Sequence, residues 1–488
     1  MTVTLNTLHG PQTDLADDDL EALRVRLRGA LMCPSSSSAL SATREVFNAM
    51  HAGRPAVIAQ CAGVADVREA LNFARAHDLA VAVRGGGHSV AGLSAIDNGM
   101  LIDLSAMCAV QVDPERRLAH VQGGASWGDV DRDTQVFGLA TPGGVVSDTG
   151  VGGLALGGGY GWLRRKYGLS CDNVLQAQVV CADGEVRTAS AEHNPDLFWA
   201  IRGGGGNFGI VTSFTFRLHP VGPVVAFAAP CYPLEDVAGV LRGWRDYVPG
   251  TPDEVSSVVV TLTFPAVPEL PEVLHNRPCV VVGGVYAAGS GDVSPEDAMQ
   301  VLAPLRQLGT PVFDMSQPMP YTMVQSGFDP LFPRNTLRAY WKSQYLGELS
   351  DDAIDVIAGR ALDRPTPLTL VNTLHMGGAI GAVGPEQTAF AERSAPFMVS
   401  IDGHWHDPAA DQLTIGWVRS AWESVKPFGT GAVYLNFTGL ADEPRQTGVD
   451  DALGRNLRRL AEIKATYDPE NFFRCNNNIL PAGVTCAG

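Results

Sequence analysis

Arg84-Gly85-Gly86-Gly87-His88-Ser89 is the stretch of sequence that decides how this chain is interpreted. It follows an apolar, strand-like segment at residues 79–83 and precedes a second one at residues 100–104. Three consecutive glycines let the backbone approach a bulky ligand and present its N–H groups to an anion. A histidine placed directly after them lies against whatever the loop holds. Taken alone, the pattern equally fits a glycine-rich turn with an incidental histidine.

Two further glycine segments favour a ligand-binding loop. Nine glycines lie between residues 143 and 161, and a third run occupies residues 203–209. The third run contains a formal GxGxxG match at 204–209, but alternating β-branched and aromatic residues follow it at 211–217 and predict a strand. A Rossmann nucleotide site needs a helix there, so we do not assign one. Three glycine segments within the first 210 residues suit a long diphosphate ligand, for which FAD is the natural candidate.

Composition argues against several other classes of protein. The net charge of −17 does not suit a surface for nucleic acid or anionic membranes, which requires basic stripes. No apolar run reaches the length of a membrane span, and the N-terminus has no secretory pattern, so we expect a cytoplasmic protein.

Nine cysteines without a CxxC pair predict neither a disulfide framework nor a zinc site. His404-Trp405-His406 lacks a third ligand and is interpreted as a polar loop, so no metal is predicted. Neither a GxSxG elbow nor a Walker A loop occurs.

Periodicity predicts α/β organisation in the first part of the chain and a different pattern in the second. Leucines at helical spacing predict a helix over residues 18–31, followed by strand, helix and strand at 56–60, 64–77 and 80–83. The run His219-Pro220-Val221-Gly222-Pro223 breaks the chain. Beyond it, apolar strands at 256–264, 280–286 and 368–374 alternate with helices at 294–308 and 350–361. A last helix ends at Tyr467-Asp468-Pro469.

Four motifs in the right order resemble those of the berberine-bridge-enzyme-like flavoproteins, within the vanillyl-alcohol-oxidase superfamily of FAD-linked oxidoreductases. They are Arg84-Gly-Gly-Gly-His-Ser-Val-Ala-Gly92, Thr149-Gly-Val-Gly-Gly-Leu-Ala-Leu-Gly-Gly-Gly-Tyr-Gly161, the segment 196–211 and Tyr467-Asp-Pro-Glu-Asn-Phe-Phe-Arg474. The resemblance implies an α+β fold, with a PCMH-type FAD-binding domain of two α/β subdomains and a substrate domain whose antiparallel sheet is covered by helices. The expected ranges are 1–222 for the N-terminal part of the FAD domain, 223–425 for the substrate domain and 426–488 for a segment returning to the FAD domain.

The same resemblance implies how FAD is held. The histidine of the first motif forms a covalent bond to the 8α-methyl group of the flavin, which maps to His88. Many members add a cysteine bond just before the TGVGG stretch, but Val146 stands at that position and Cys171 lies well downstream. We therefore expect FAD attached through His88 alone, as in the members similar to 6-hydroxy-D-nicotine oxidase. The expected cofactor-binding residues are Arg84, Gly85, Gly86, Gly87, His88, Ser89, Gly92, Thr149, Gly150, Gly153, Gly157, Gly158, Gly159, Gly161, Gly209, Ile210, Val211, Asn476 and Asn478.

Catalysis needs a base that takes the substrate proton as hydride leaves for the flavin. The resemblance implies that the base is a tyrosine in a Tyr-x-Asn strand. In this sequence the tyrosine is Tyr434, and Asn436 lies two residues on and therefore on the same face. A free tyrosine is a poor base at neutral pH, and Lys342 or Arg338 are candidate activating charges. Some members carry an acidic base near the strand at 366–374, but none occurs between residues 366 and 383, where Asn372 and His375 are the polar candidates.

The predicted function is that of an FAD-dependent oxidoreductase. We expect an oxidase that removes hydride from an alcohol or amine carbon of a small or secondary-metabolite substrate, with dioxygen reduced to hydrogen peroxide. The expected partners are that substrate and dioxygen, with neither nucleic acid nor membrane. A dehydrogenase with another electron acceptor and a flavin-retaining binding protein without turnover stay open as alternatives. Substrate identity and oligomeric state do not follow from the sequence.

Overall fold

The structure is a computed structural model that describes residues 2–33, 46–51, 53–268, 270–289, 291–440, 443 and 448–484. Within these ranges the strands, numbered β1 to β22 in chain order, are Val3–Leu5, Thr13–Leu15, Ala30–Met32, Val57–Gln60, Val81–Arg84, Met100–Asp103, Val110–Asp113, Leu118–Gln122, Leu139–Ala140, Val174–Val180, Val186–Ser190, Ile210–Arg217, His219–Pro220, Val224–Ala228, Pro230–Pro233, Val255–Thr263, Pro278–Tyr286, Phe313–Asp314, Gln317–Pro320, Arg338–Leu346, Leu370–His375 and Phe397–Trp405. The α-helices are Asp17–Arg24, Val64–Ala76, Trp127–Gln135, Val151–Leu156, Arg164–Tyr167, Pro195–Ala200, Val237–Tyr247, Pro295–Leu302, Tyr321–Gln325, Asp351–Leu362, Ala379–Ala382, Asp411–Val425, Val449–Leu453 and Leu457–Tyr467.

A four-stranded sheet in the order β3-β4-β6-β5 carries the first glycine loop. Strands β4 and β5 both pair in parallel with β6, and the helix Val64–Ala76 connects β4 to β5. The loop leaves the carboxyl end of β5 at Arg84, whose register partner on β6 is Asp103. Their buried side chains form an ion pair of 2.7 Å. The glycine loop is therefore presented at the carboxyl edge of parallel strands, where α/β sheets bind ligands.

A second sheet of five antiparallel strands has the order β11-β10-β12-β8-β7, with β7 and β8 before the second glycine segment in the chain and the other three strands after it. Strand β12 begins directly after the GxGxxG match, at Ile210. The predicted strand is confirmed there, and no helix N-terminus is available for a pyrophosphate at that point. Short helices, Val151–Leu156 and Arg164–Tyr167, are formed by the second glycine segment itself and by the residues just after it.

The third large sheet has nine strands, all from the region between residues 224 and 405. Neighbouring strands of this sheet pair antiparallel, and its central strands stand in the order β17-β16-β21-β22-β20. Helices Val237–Tyr247, Asp351–Leu362 and Asp411–Val425 pack against one another and against this sheet. The predicted α+β class, with an antiparallel sheet covered by helices, is confirmed. The assignment of domains to 1–222, 223–425 and 426–488 remains a prediction.

The structure corrects two local predictions. The N-terminal helix ends at Arg24, and Leu31 lies in β3, because the backbone N–H groups of Arg28 and Gly29 donate to the Asp66 carboxylate at 3.0 and 2.9 Å and hold the chain away from a helical path. His404 does not lie in a polar loop but in β22, opposite Ala339 of β20. Its buried ring accepts a hydrogen bond of 2.9 Å from the Trp341 indole, and burial lowers the pKa of His404 to about 4.

The motif Tyr467-Asp468-Pro469 has a structural explanation. Asp468 is fully buried and accepts hydrogen bonds from the N–H groups of Phe472 and Phe473, at 2.7 and 2.9 Å. The Lys464 ammonium, also fully buried, lies 2.6 Å from the same carboxylate and donates to the carbonyl oxygen of Asn207 at 2.7 Å. This ion pair therefore connects the C-terminal helix Leu457–Tyr467 to the third glycine segment.

Asp468→Ala is expected to destabilise the protein by about 3–5 kcal/mol, because the Lys464 ammonium would remain buried without its counter-charge. The measurement is the urea midpoint followed by circular dichroism. Glu462→Ala is the control, since Glu462 lies on the same helix and pairs with Arg458, whose side chain is 92% exposed. That change should cost less than about 0.5 kcal/mol. Equal midpoints for the two variants would contradict the role assigned to the buried pair.

None of the helices that the structure describes combines the length and the apolar composition that a bilayer-crossing segment requires.

Candidate active site

One cavity of about 350 Å³ lies between the glycine segments and the nine-stranded sheet. All three glycine segments contribute to its wall, together with residues of β16, β20, β21 and β22. Residues 434–438 and 475–477 of the C-terminal part complete it. The volume is within the range of about 300–1,000 Å³ for cofactor and ligand sites.

The first two glycine segments touch through their backbones. A Cβ atom at Gly86 would lie 2.3 Å from the Cα atom of Gly150. Side chains at these positions would push the two loops apart, so the contact requires glycine at both. The result is a smooth wall of main chain, which can approach a flat or extended ligand closely.

The cavity also offers polar groups suited to a cofactor. The Ser94 hydroxyl and the Asn476 side-chain carbonyl are buried, line the cavity and have no hydrogen-bond partner among the described residues. Buried polar atoms are normally satisfied, so both fit hydrogen bonds to a polar ligand. The main-chain wall and these buried polar groups fit a flat, polar cofactor such as FAD.

Most of the predicted cofactor-binding residues line this cavity. They are Gly85, Gly86, Gly87, His88, Ser89, Thr149, Gly150, Gly153, Gly157, Gly209, Ile210, Val211 and Asn476. Six others are placed outside its described lining: Arg84, Gly92, Gly158, Gly159, Gly161 and Asn478. For two of them, the surroundings show a structural reason for the residue type. Arg84 pairs with Asp103, and a Cβ atom at Gly161 would lie 1.8 Å from the carbonyl oxygen of Gly143. Cofactor binding by any of these residues remains a prediction.

His88 lies on the cavity wall with its ring fixed in orientation. The Phe47 ring stacks on it with a centroid separation of 4.3 Å and an interplanar angle of 6°. Phe47 is itself fully buried, and its N–H donates to the carbonyl oxygen of Gly87 at 2.9 Å. The histidine that follows the three glycines is therefore held at the cavity by packing as well as by the loop.

The two positions considered for a cysteine bond differ in location. Val146 lines the cavity, whereas Cys171 is fully buried and absent from the described lining. Burial also holds the pKa of the Cys171 thiol well above its usual value, with the neighbouring Asp172 carboxylate adding to the effect. A neutral, enclosed thiol is a poor nucleophile.

Tyr434 lies on the cavity wall, but not in a strand. It precedes a 3₁₀ helix at Leu435–Phe437, so the expected strand with Tyr434 and Asn436 on one face is wrong. The helical turn nevertheless brings the two side chains together. The Asn436 amide donates to the Tyr434 oxygen at 2.8 Å, and the Gly159 N–H donates to it at 3.1 Å. Burial outweighs these hydrogen bonds and raises the pKa of Tyr434 well above its usual value.

Asp402 is a site residue that sequence reasoning missed. It lies on β22 directly opposite Leu370 of β21 and lines the cavity. Its carboxylate accepts a hydrogen bond of 2.6 Å from the Asn372 amide and another from the Ser400 hydroxyl. Burial raises the pKa of Asp402 to about 7, against the opposing effect of these two hydrogen bonds. Residues 366–383 contain no acid, and the carboxylate is instead supplied by the neighbouring antiparallel strand.

The other polar candidates are divided between the cavity and its surroundings. Asn372 lines the cavity, whereas His375 lines a separate cavity and has its pKa lowered to about 2 by burial. Lys342 pairs with Glu443 at 3.1 Å, and Arg338 forms an ion pair with Asp411. Both cations proposed to activate Tyr434 therefore have carboxylate partners of their own.

The part of the cavity facing the nine-stranded sheet is mainly apolar. Trp162 and Phe328 stack with a centroid separation of 6.1 Å, and Trp341 meets Phe437 edge to face at 4.9 Å. Phe332 lines the same cavity, as do the polar residues Asp402 and Tyr434. This arrangement suits a compact substrate with an aromatic or apolar body and one polar reacting group.

Family models match two parts of the chain that line the cavity. Residues 55–190 match the FAD binding domain, and residues 433–480 match the berberine and berberine-like domain. These matches and the geometry of the cavity define an FAD-binding oxidoreductase.

Whole-chain relatives specify the family. The uncharacterised FAD-linked oxidoreductase YgaK of Bacillus subtilis is 31% identical over 435 residues, covering 88% of this chain and 91% of the relative. The (R)-6-hydroxynicotine oxidase of Paenarthrobacter nicotinovorans is 29% identical, over 95% and 99% of the two chains. The crystal structure of 6-hydroxy-D-nicotine oxidase from Arthrobacter nicotinovorans superposes with a TM-score of 0.81 at 27% identity, over 93% and 98%. The chain belongs to the berberine-bridge-enzyme-like family of FAD-linked oxidoreductases.

Proposed function

We propose that this enzyme is an oxidase that removes hydride from the carbon of an alcohol or amine in a small substrate, using FAD attached covalently through His88 alone. When bound, FAD accepts the hydride and passes two electrons to dioxygen, which becomes hydrogen peroxide. The observation that carries the proposal is the shared cavity. His88 lies on its glycine-walled side, and Asp402 and Tyr434 lie on the same continuous lining.

We assign Tyr434 the role of orienting the reacting oxygen or nitrogen of the substrate. Its oxygen already accepts two hydrogen bonds, from Asn436 and Gly159, which occupy both lone pairs. The remaining hydrogen of the Tyr434 hydroxyl is thus the part that can meet a substrate oxygen or nitrogen. Because the pKa of Tyr434 is raised, this hydroxyl stays protonated and acts as a donor at neutral pH.

We assign Asp402 the role of the general base that accepts the substrate proton. An effective general base has a pKa near the working pH, and burial raises the pKa of Asp402 to about 7. Asn372 and Ser400 hold the carboxylate in place by hydrogen bonds. The heteroatom proton passes to Asp402 as the adjacent C–H bond breaks, which leaves a carbonyl or an imine as product.

Attachment through a single histidine is supported by the side chains around it. Val146, at the position where other members carry a cysteine, lines the cavity and cannot form a thioether. Cys171 is buried outside the described lining of the cavity, with a raised thiol pKa. His88 brings an imidazole nucleophile to the cavity from the first glycine loop.

An anaerobic screen of alcohols, amines and sugars tests the proposed reaction, with the visible absorbance of oxidised flavin as readout. We expect at least one aromatic alcohol or amine to bleach the flavin, and air to restore the colour rapidly with release of hydrogen peroxide. Bleaching followed by slow reoxidation would instead indicate a dehydrogenase with another acceptor. Absence of bleaching across the whole panel would contradict turnover and favour a flavin-retaining binding protein.

A further inference from the structure

The imidazole of His88 faces a carboxylate outside its own loop. The Nε2 atom of His88 lies 3.3 Å from Oδ1 of Asp148, a distance at the long end for a hydrogen bond. Both atoms are buried, and neither has a hydrogen-bond partner elsewhere among the described residues. Two buried polar atoms that have only each other within reach are satisfied by a small rotation of the ring.

Arg334 holds Asp148 in this position. The guanidinium donates to Oδ2 of Asp148 at 2.6 Å and to its backbone carbonyl at 2.5 Å. The next residue, Asn335, donates its N–H to the carbonyl oxygens of Val46 and Phe47. One segment therefore fixes both the carboxylate at the edge of the His88 ring and the phenyl ring stacked on its face.

Asp148 is charged at neutral pH. Burial alone would raise the pKa of its carboxyl group, but His88 and Arg334 outweigh burial and the pKa is lowered. A neutral imidazole carries one N–H and one lone pair, and a carboxylate accepts the N–H. The proton is thus placed on Nε2, and the lone pair is left on Nδ1, which has no hydrogen-bond partner among the residues the structure describes.

We propose that Asp148, held by Arg334, is the positioning residue that orients His88 and holds its proton on Nε2 before the bond to FAD forms. This inference rests on the proposed covalent attachment and goes beyond it, because it assigns the residue that orients the imidazole and takes its proton. Comparable carboxylate–histidine pairs fix the tautomer and raise the basicity of the other nitrogen.

The bond-forming step balances with dioxygen as the oxidant. One C–H bond of the flavin 8-methyl group breaks and a C–Nδ1 bond forms. The methyl hydrogen leaves as a proton, and the Nε2 proton of His88 passes to Asp148 and then to solvent. The two electrons released by the methyl carbon reduce dioxygen, which takes up two protons and becomes hydrogen peroxide.

The linkage in the wild-type holoenzyme is the first test, and it requires no variant. The flavin peptide containing His88 is isolated after proteolysis, and long-range carbon–proton NMR connects the 8α-methylene to the imidazole carbons. A bond at Nδ1 gives correlations to Cγ and Cε1, whereas a bond at Nε2 gives correlations to Cδ2 and Cε1. We expect the Nδ1 pattern, and the Nε2 pattern would overturn the inference.

Asp148→Asn is the second test, since it keeps the shape of the side chain and removes its charge. Protein produced under riboflavin limitation is mixed with FAD, and the flavin retained in the acid-precipitated pellet is followed with time. We expect attachment to slow by about 10- to 100-fold. The control Asp133→Asn alters a carboxylate that pairs with exposed Arg132, and should leave the rate unchanged. Attachment in Asp148→Asn at the wild-type rate would overturn the inference.

The outcomes separate this inference from the proposed function. A colourless wild-type pellet would remove covalent attachment itself, and the role of Asp148 with it. A yellow wild-type pellet with an Nε2 bond would leave the covalent enzyme intact and reject only the role of Asp148. If Asp148→Asn fails to fold or to bind FAD, the wild-type linkage still decides.

Discussion

His88→Ala protein is expected to release all of its flavin into the supernatant on acid precipitation, whereas the wild-type pellet stays yellow. Denaturation destroys the glycine-walled cavity and with it every non-covalent contact, so only a bond to a side chain retains the colour. The native variant is still expected to bind FAD, because the backbone contact of Gly86 with Gly150 does not depend on the imidazole. The measurement is the flavin absorbance of the pellet and of the supernatant.

The control for this prediction is His120→Ala, which removes a histidine of β8 that contacts Thr215 away from the cavity. That protein should behave as wild type. Flavin retained in the pellet of His88→Ala would show that another side chain carries a bond, and a Val146→Cys change would then show whether position 146 can supply a second one. A colourless wild-type pellet would contradict covalent attachment altogether.

The fold was predictable where a motif fixes the local backbone. The glycine loop after β5, the strand after residue 209 and the antiparallel sheet of the second half follow from glycine placement and period-two patterns. The early end of the first helix was not predictable, because it depends on the Asp66 carboxylate, which lies 38 residues beyond Arg28. Likewise, the pattern around His404 is polar, but its burial is decided by pairing with β20.

The candidate site shows the same division between local and long-range information. Glycine-rich segments and His88 are recognisable because each is contiguous in sequence. Asp402 is not, since its place at the cavity depends on the register of β22 against β21. The spacing of Tyr434 and Asn436 predicts a strand, but a 3₁₀ turn is what brings the amide to the hydroxyl. Side chains brought together by strand register require the structure.

Asp402→Asn is expected to lower kcat/KM by about 10²- to 10⁴-fold, the usual contribution of a positioned general base. The pH dependence distinguishes this role from a packing role. Burial raises the pKa of Asp402 to about 7, so below that pH the group is a neutral acid that cannot accept a proton. Wild-type kcat/KM should therefore rise as pH increases through about 7. Asparagine cannot accept the proton at any pH, so the rise should disappear in the variant.

Tyr434→Phe gives the contrasting result. It removes a hydroxyl that stays protonated at neutral pH and leaves Asn436 and Gly159 without their acceptor. We expect a loss of about tenfold or more in kcat/KM, equivalent to ~1.4 kcal/mol of transition-state binding, with the pH midpoint unchanged. The control for Asp402→Asn is Asp363→Asn, which removes a surface carboxylate that pairs with Arg360 and should leave kcat/KM unchanged. If Asp402→Asn keeps the wild-type pH profile while Tyr434→Phe loses it, the proton acceptor is Tyr434 and the role assigned to Asp402 is wrong.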